Sequence, residues 1–200
     1  MKRLFDIVVS AAGMLVLSPI AAAIAAAIKL EDGGPVIFVQ ERVGKDCRVF
    51  NALKFRSMIV DAERHTGAIQ ATANDPRVTR VGRLLRATAF DEMPQLWNIF
   101  RGDMSIVGPR PLRPGESDTT ANGVPTPLSA IPGYEARHRV RPGLTGIAQV
   151  YAPRDLPRNA KFRYDLLYMR RASLCLDIRL ILQSFWITAR GRWEDRQPKL

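Results

Sequence analysis

The sequence predicts an α+β fold that is mainly helical and begins with a membrane segment. Three observations carry this prediction: a long uncharged run near the N-terminus, one pair of β-rich runs at residues 36–40 and 48–55, and helical spacing of apolar residues in several later segments. The 200 residues fall within the usual size of one domain. We therefore expect a membrane segment at residues 1–32 and one globular domain at residues 33–200.

The uncharged run covers residues 7–28 and, as a straight helix, would be about 33 Å long, enough to cross the hydrocarbon core of a bilayer. A secretory signal peptide is one interpretation, but its apolar region is usually only about 7 to 15 residues long, and Asp6 interrupts the basic start. A spanning helix is the second interpretation. Against it, Lys2 and Arg3 precede the run and Lys29 follows it, and basic flanks favour the cytoplasm at both ends.

Ser18 and Pro19 favour a third interpretation, in which the helix is interrupted. Pro19 has no backbone N–H and its ring crowds the carbonyl of Leu15, while the hydroxyl of Ser18 can bond a freed backbone group. We predict a re-entrant helix–break–helix segment that enters one leaflet, turns near Ser18 and Pro19 and leaves on the same face. A kinked helix that spans the bilayer remains the alternative.

A small β-hairpin is predicted from the two β-rich runs, because they flank a turn signal, Gly-Lys-Asp, at residues 44–46. Lys54 lies near the exit of this hairpin. It is either a solvated cation at the edge of a strand or a group that binds phosphate.

Residues 77–90 place apolar side chains on one helical face and Arg80, Arg83 and Arg86 on the other. This pattern predicts a basic amphipathic helix. Such a helix suits the interface of an anionic membrane, and it suits nucleic-acid phosphates equally well.

Helical spacing returns at residues 160–171 and 173–190. The last of these segments combines aromatic side chains with arginines, a combination typical of the headgroup boundary of a membrane, although a core-packed terminal helix fits it as well. Residues 112–132 are rich in Pro, Gly, Ser and Thr and predict a surface loop.

Charge composition indicates an anionic partner. The chain has 30 Lys and Arg against 19 Asp and Glu, a net charge of +11, which fits nucleic acid, anionic lipid or a phosphorylated substrate. Cys47 and Cys175 stand far apart and His65 and His138 are isolated, so neither a disulfide framework nor a zinc site is supported. The sequence also lacks the phosphate-binding loop of nucleoside triphosphatases and the dinucleotide-binding fingerprint.

Two adjacent carboxylates, Asp91 and Glu92, stand just before Pro94, which suits the first turn of a helix that continues through Phe100. Free amide groups and the helix dipole at such a position favour ionised side chains. An ionised carboxylate can bind Mg²⁺ or act as a nucleophile. A simple helix-capping role is the alternative.

Arg110 lies between Pro109 and Pro111, which restrict its backbone, so its guanidinium is pre-oriented for bidentate contact with phosphate. A second arginine-bearing element, residues 141–150, supplies Arg141. Together with the acidic pair and the apolar run, these elements indicate phosphoryl chemistry at a bilayer surface. The rival function is a membrane-tethered basic module that binds nucleic acid or anionic lipid without catalysis; it explains the charge but not the acidic pair beside Pro94.

The chain also resembles a known family, the small monotopic phosphoglycosyl transferases, which are bacterial sugar transferases. The likeness is carried by the blocks KRLFDI, LSPI, VIFVQERVG, LKFRSM, RVTRVGRLLR, FDEMPQLWNIFRGDMSIVGPRPL, VRPGLTGIAQV and KFRYDLLYMRRASLCLDIRLIL. The blocks FDEMPQL and DMSIVGPRPL in this order are highly specific. The resemblance implies transfer of a sugar 1-phosphate from a UDP-sugar to polyprenyl (undecaprenyl) phosphate, giving a polyprenyl diphosphate sugar and UMP, the first membrane step of glycan assembly.

The resemblance also implies roles for individual residues. Asp91 would be the nucleophile that forms a covalent aspartyl phosphosugar and would contact Mg²⁺, and Glu92 would assist it. Ser18 and Pro19 would form the break of the re-entrant helix. The substrate- and phosphate-binding groups expected from the residues and the resemblance together are Lys54, Arg86, Arg110, Arg141, Arg154 and Asp165.

The resemblance places the chain at the cytoplasmic face of the bacterial inner membrane, with residues 33–200 as a cytosolic catalytic domain on the lipid bilayer. No nucleic-acid partner is expected. An exposed apolar face would suit lipid or a second copy of the chain, so the sequence leaves a homodimer open.

Overall fold

The computed structural model describes residues 1–62, 75–118, 125–153 and 156–190. In these ranges the chain is mostly helical with a few short strands, which confirms the predicted α+β class. The helices are α1 (Lys2–Asp32), α2 (Arg80–Thr88), α3 (Gln95–Arg101), α4 (Tyr134–Arg137), α5 (Ile147–Tyr151), α6 (Arg158–Arg171) and α7 (Leu174–Ala189). The strands are β1 (Ile37–Val43), β2 (Val49–Phe55), β3 (Ser105–Val107), β4 (Ser117–Asp118), β5 (Thr126–Pro127) and β6 (Gly143–Thr145).

The predicted hairpin is present as the antiparallel pair β1–β2, with Ile37 opposite Phe55 and Val43 opposite Val49. Its first strand extends further than the sequence indicated, to Val43. The hairpin is tied to α3 by the buried Asn98, whose amide accepts a hydrogen bond from the backbone N–H of Leu53 at 2.9 Å. The end of β2 is therefore held beside the turn that precedes α3.

The two arginine-bearing elements lie side by side, because β3 and β6 form a parallel pair. Just past β3, the carbonyl of Pro109 accepts a hydrogen bond from the N–H of Gly143 at 2.9 Å, and the N–H of Gly108 donates to the carbonyl of Thr145 at 2.8 Å. The backbones approach so closely that a Cβ on Gly143 would stand 2.0 Å from the nitrogen of Gly108. Only glycine fits there, and the contact fixes where the Pro-Arg-Pro segment begins.

A main core lies between α3, β3, α5, α6 and α7, and its buried residues are Ile99, Met104, Ile106, Val107, Ile147, Val150, Tyr168 and Leu180. The prediction of a surface loop for residues 112–132 is wrong at both of its ends. Leu112 and Leu128 are buried against Phe162 of α6 in a separate apolar cluster, because the short pair β4–β5 turns this segment back onto the domain. Residues 119–124 lie outside the described part of the chain.

The N-terminal helix α1 is continuous through Ser18 and Pro19, so the structure shows one helix at this position and not two. The hydroxyl of Ser18 donates to the carbonyl of Leu15 at 2.8 Å, and the helix ends at Gly33, which adopts the left-handed conformation. By length and hydropathy α1 could cross a membrane. A core helix of a soluble protein or a signal sequence can meet the same two criteria. Its most apolar window is only 11% buried, however, which argues against a core helix.

Both ends of α1 form hydrogen bonds with the rest of the domain. Near its start, Arg3 donates to the carbonyls of Ile99 and Phe100, each at 2.6 Å. At its other end, Glu31 accepts the backbone N–H of Arg80 at 2.7 Å. These contacts hold both ends of α1 against the same domain.

Candidate active site

A cavity of about 1960 Å³ brings together most of the residues that the sequence singled out. Its lining includes Lys54, Arg86, Asp91, Glu92, Arg110 and Asp165. These side chains come from β2, α2, the turn before α3, the Pro-Arg-Pro segment and α6. The predicted groups are distant in sequence, and the fold assembles them around one space.

The two carboxylates are presented by a tight turn between two helices. Ala89 ends α2 in the left-handed conformation, with φ of 57°, and a single 3₁₀ turn, Phe90–Glu92, follows. Pro94 then stands at the N-terminal boundary of α3. The prediction that the acidic pair lies just before a helix is therefore confirmed, and the turn brings both side chains to the cavity wall.

Glu92 is engaged by two cations. Its Oε1 accepts a hydrogen bond from Nζ of Lys54 at 2.7 Å and another from Nη2 of Arg110 at 3.3 Å. Burial alone would raise the pKa of Glu92, but Lys54 and Arg110 together hold it at about 2. Glu92 is therefore ionised at neutral pH, in agreement with the prediction.

Asp91 differs from its neighbour. Burial, and next the negative charge of Glu92, raise the pKa of Asp91, although Lys54 and Arg86 act in the opposite direction. Within the described ranges, no hydrogen bond or ion pair engages its carboxylate. The predicted ionised state thus holds for Glu92, where Lys54 and Arg110 favour it, and is opposed at Asp91, whose oxygens stay available to a ligand.

Arg42 of β1 is a cavity residue that the sequence analysis did not select. Its Nη1 donates to the carbonyl of Pro111 at 3.3 Å. Burial, and then the charges of Arg110 and Arg113, lower its pKa to about 10, so it stays a cation at neutral pH. The hairpin register could have revealed it: Arg42 is opposite Phe50, and Phe50 and Lys54 lie on one face of β2 because side chains alternate along a strand.

Arg86 lies in the last turn of α2 and lines the cavity, as expected for a phosphate-binding group. Arg141 lies elsewhere: its Nε donates to the carbonyl of Gly102 at 2.7 Å, at the end of α3, and it does not line the cavity. Arg154 is outside the residues that the structure describes. Two further cavity residues missed by sequence reasoning, Glu116 and Arg158, form an ion pair.

Asp165 lines the cavity but is buried and already paired. Its Oδ2 accepts a hydrogen bond from Nε of Arg137 at 2.8 Å, and only 5% of its side chain is exposed. Burial raises the pKa of Asp165, and Arg137 acts against that effect. Its predicted contact with substrate stays a prediction, whereas its contact with Arg137 is structural.

The donor set around Asp91 suits Mg²⁺ only if the substrate supplies further ligands. Among residues 1–62, 75–118, 125–153 and 156–190, no group of three acidic, histidine or cysteine side chains could hold a metal. Mg²⁺ commonly uses one or two carboxylates together with water and substrate phosphates. The free carboxylate of Asp91, in a cavity lined by phosphate-compatible cations, fits such a shared site.

Comparison with known proteins locates relatives of the whole chain. A family profile described as bacterial sugar transferase matches residues 1–191. The chain is 45% identical over 187 residues to an undecaprenyl-phosphate glucose phosphotransferase of Komagataeibacter xylinus, covering 90% of the chain and 34% of that relative. It is also 45% identical over 185 residues to a UDP-glucose:undecaprenyl-phosphate glucose-1-phosphate transferase of Klebsiella pneumoniae, covering 90% of the chain and 38% of the relative.

A relative of similar length is also present. The exopolysaccharide production protein PSS of Rhizobium leguminosarum bv. phaseoli is 43% identical over 186 residues, which cover 90% of the chain and 91% of that protein. The chain thus spans about a third of the first two relatives and nearly all of the third.

Proposed function

Because this chain belongs to the bacterial sugar transferase family, we propose that it transfers a sugar 1-phosphate from a UDP-sugar to undecaprenyl phosphate, giving undecaprenyl diphosphate sugar and UMP. The names of the Komagataeibacter and Klebsiella relatives support the two substrates. The observation that carries the proposal most directly is the contrast within the acidic pair. Asp91 has no bonded partner among the described residues, whereas Glu92 is held by Lys54 and Arg110 in the same cavity.

The reaction proceeds as two displacements at the β-phosphorus of the donor. A carboxylate oxygen of Asp91 first forms a bond to this phosphorus, and the bond to the bridging oxygen breaks, so UMP leaves with the electron pair. An oxygen of undecaprenyl phosphate then attacks the same phosphorus and releases Asp91. Because the covalent intermediate separates the two steps, donor and acceptor need not be bound together.

Glu92 supports this chemistry as a fixed counter-ion. A carboxylate with a pKa of about 2 is a weak proton acceptor at neutral pH. The acceptor phosphate needs little help in losing its proton, because the second pKa of a phosphate monoester is about 6. Glu92 instead aligns Lys54 and Arg110, whose charges offset the negative charge of the phosphates during each displacement.

Mg²⁺ is part of the proposal. The cation would be held by Asp91 together with the diphosphate of the donor, and when bound it would offset the negative charge of that diphosphate. Lys54, Arg86 and Arg110 line the same cavity and would orient the remaining phosphate oxygens.

The lining of the cavity suits a lipid phosphate. Besides its charged residues, it includes apolar residues of α1 and α7, among them Val9, Leu17, Ile181 and Phe185. The charged residues would take the phosphate and the apolar residues the hydrocarbon chain. The arrangement supports a polyprenyl acceptor more than nucleic acid.

The protein is proposed to lie at the cytoplasmic face of the bacterial inner membrane, with α1 re-entrant in one leaflet. Arg3 and Glu31, near the two ends of α1, both contact the catalytic domain, which supports placing both ends on one face. Leu15, near the middle of α1, is 77% exposed and would meet lipid. Helix α7 adds a further exposed apolar face suited to the membrane interface, made of Leu174, Ile178, Leu182, Phe185 and Trp186.

The topology can be tested by cysteine labelling. Leu4 and Leu30 are both exposed and lie near opposite ends of α1. In a chain whose two native cysteines are replaced by serine, Leu4→Cys and Leu30→Cys should both react with an impermeant thiol reagent from the cytoplasmic side only. Reaction from opposite sides would show that α1 spans the membrane.

The activity is tested with purified protein in lipid nanodiscs, a panel of UDP-sugars, undecaprenyl phosphate and Mg²⁺. At least one donor should give continuous UMP release and a lipid-linked sugar, and omission of undecaprenyl phosphate should limit UMP to about one equivalent per protein. The rival function, a basic module that only binds anionic lipid, predicts no UMP from any donor.

A further inference from the structure

Arg110 is held through both its side chain and its backbone carbonyl. Its side chain, 50% exposed, contacts Glu92 in the cavity. Its backbone carbonyl accepts a hydrogen bond from Nη2 of Arg137 at 2.6 Å. Because Pro109 and Pro111 flank Arg110 and restrict its backbone, fixing this one carbonyl also fixes the direction in which the side chain leaves.

Arg137 is itself fixed at each of its three nitrogens. Nε donates to Asp165 at 2.8 Å, Nη2 donates to Arg110, and Nη1 lies 3.1 Å from Nε2 of His138. The guanidinium also lies over the ring of Phe162, at 4.9 Å from its centroid. The side chain is 2% exposed, so it has no room to reach a substrate without leaving these partners.

His138 contributes as a neutral acceptor. Its Nδ1 lies 2.7 Å from the carbonyl of Tyr134, which can only accept, so Nδ1 carries the proton and Nε2 accepts from Arg137. Burial, and then the charge of Arg137, lower the pKa of His138 to about 4. The ring is therefore neutral at pH 7 and can accept this hydrogen bond.

We propose that Arg137, held by Asp165 and His138, is a positioning residue that fixes Arg110 for the substrate phosphate. The inference rests on the proposed function, in which Arg110 binds that phosphate. A buried ion pair is weak evidence for a purely stabilising role, because well-packed apolar residues often stabilise as well or better. An apolar side chain at position 137 could not donate a hydrogen bond to the carbonyl of Arg110, whereas Arg137 does. Asp165 then acts on catalysis through Arg137, since its own negative charge would repel a phosphate.

A double-mutant cycle tests this role. Arg137→Lys removes the forked guanidinium, and one ammonium group cannot serve Asp165, His138 and the carbonyl of Arg110 together. The kcat/KM for the UDP-sugar should fall about tenfold in the native background. The Arg110→Ala variant should itself be about a hundredfold less active. In this background, Arg137→Lys should lower kcat/KM less than about twofold. Arg139→Lys, at an exposed arginine two residues away, is the matched control and should leave kcat/KM unchanged.

Asp165→Asn and Asp165→Glu form a second series for the case in which Arg137→Lys fails to fold. Asp165→Asn should repeat the background-dependent loss, and Asp165→Glu, which keeps the charge, should recover most of it. Equal losses in both Arg110 backgrounds, parallel to a lower melting temperature, would overturn the positioning role and leave the transferase activity standing. A native protein that releases no UMP from any donor would instead overturn the proposed function, and the positioning role with it.

Discussion

Arg110 belongs to two ion-paired networks that differ in exposure. In the cavity network its side chain shares Glu92 with Lys54, and the three side chains are 50%, 18% and 16% exposed. In the buried network its carbonyl is bonded by Arg137, which pairs with Asp165; these two side chains also line the cavity but are only 2% and 5% exposed. One residue therefore connects a solvent-accessible network to a buried one.

The difference in exposure indicates different tasks for the cations. Lys54 and Arg110 can exchange a hydrogen bond to Glu92 for one to a phosphate, because the cavity already gives a ligand access to them. Arg137 is far less free to do so, because it is only 2% exposed and each of its nitrogens already donates to an acceptor in the protein. The cavity network is suited to binding, and the buried network to holding one binding residue in place.

The largest effect is expected at Asp91, a cavity carboxylate that lies outside both networks. Asp91→Asn keeps the size of the side chain and removes the proposed nucleophile, so kcat should fall by about a thousandfold or more. Because no described residue bonds the carboxylate, the melting temperature should change little. Residual turnover within tenfold of the native protein would show that Asp91 does not attack phosphorus.

A smaller effect is expected at Arg110. Comparison with Arg141 distinguishes an arginine inside the cavity from one outside it. Arg110→Lys keeps the charge and removes the guanidinium fork, so the KM for the UDP-sugar should rise about five- to tenfold. Arg141→Lys should change KM less than about twofold, because Arg141 bonds the end of α3 outside the cavity. Steady-state UMP release measures both variants. If Arg141→Lys raised KM as much as Arg110→Lys, the sequence-based assignment of Arg141 to the phosphate site would be restored.

The smallest effect concerns the pH dependence of stability conferred by Glu92. Its pKa is lowered from 4.5 to about 2, so its ion pairs stabilise the fold above about pH 4.5, and this contribution disappears as the pH falls through about 2. Glu92→Gln should therefore melt about 2 to 4 °C below the native protein at pH 7. The gap should close as the pH approaches 2, as followed by circular dichroism in detergent. A gap independent of pH would indicate that packing, and not charge, is lost.

The elements that the sequence predicted well are those with local signals. The hairpin has its turn signal, α3 has Pro94 at its start, and α7 has Ser173, whose side chain accepts the N–H of Leu176. These features depend on neighbours within a few residues, so the sequence displays them directly.

The features that escaped prediction depend on partners far along the chain. Asp6 looks like a charge that interrupts a basic start, yet it is buried and accepts hydrogen bonds from Ser105 and Ile106 of β3. Arg137 lies in the segment Arg-His-Arg, where nothing local separates it from the exposed Arg139. Tertiary contacts alone decide that one of these two arginines is buried against Asp165.

The central claim, that Asp91 alone forms the covalent intermediate, is tested most directly by trapping. Purified protein is incubated with an active UDP-sugar and Mg²⁺ in the absence of undecaprenyl phosphate, quenched, and digested for mass spectrometry. We predict one equivalent of UMP and a phosphosugar adduct on Asp91 of the peptide spanning residues 87–101. UMP release that requires the lipid acceptor and leaves no adduct, or an adduct located on Glu92, would contradict the account.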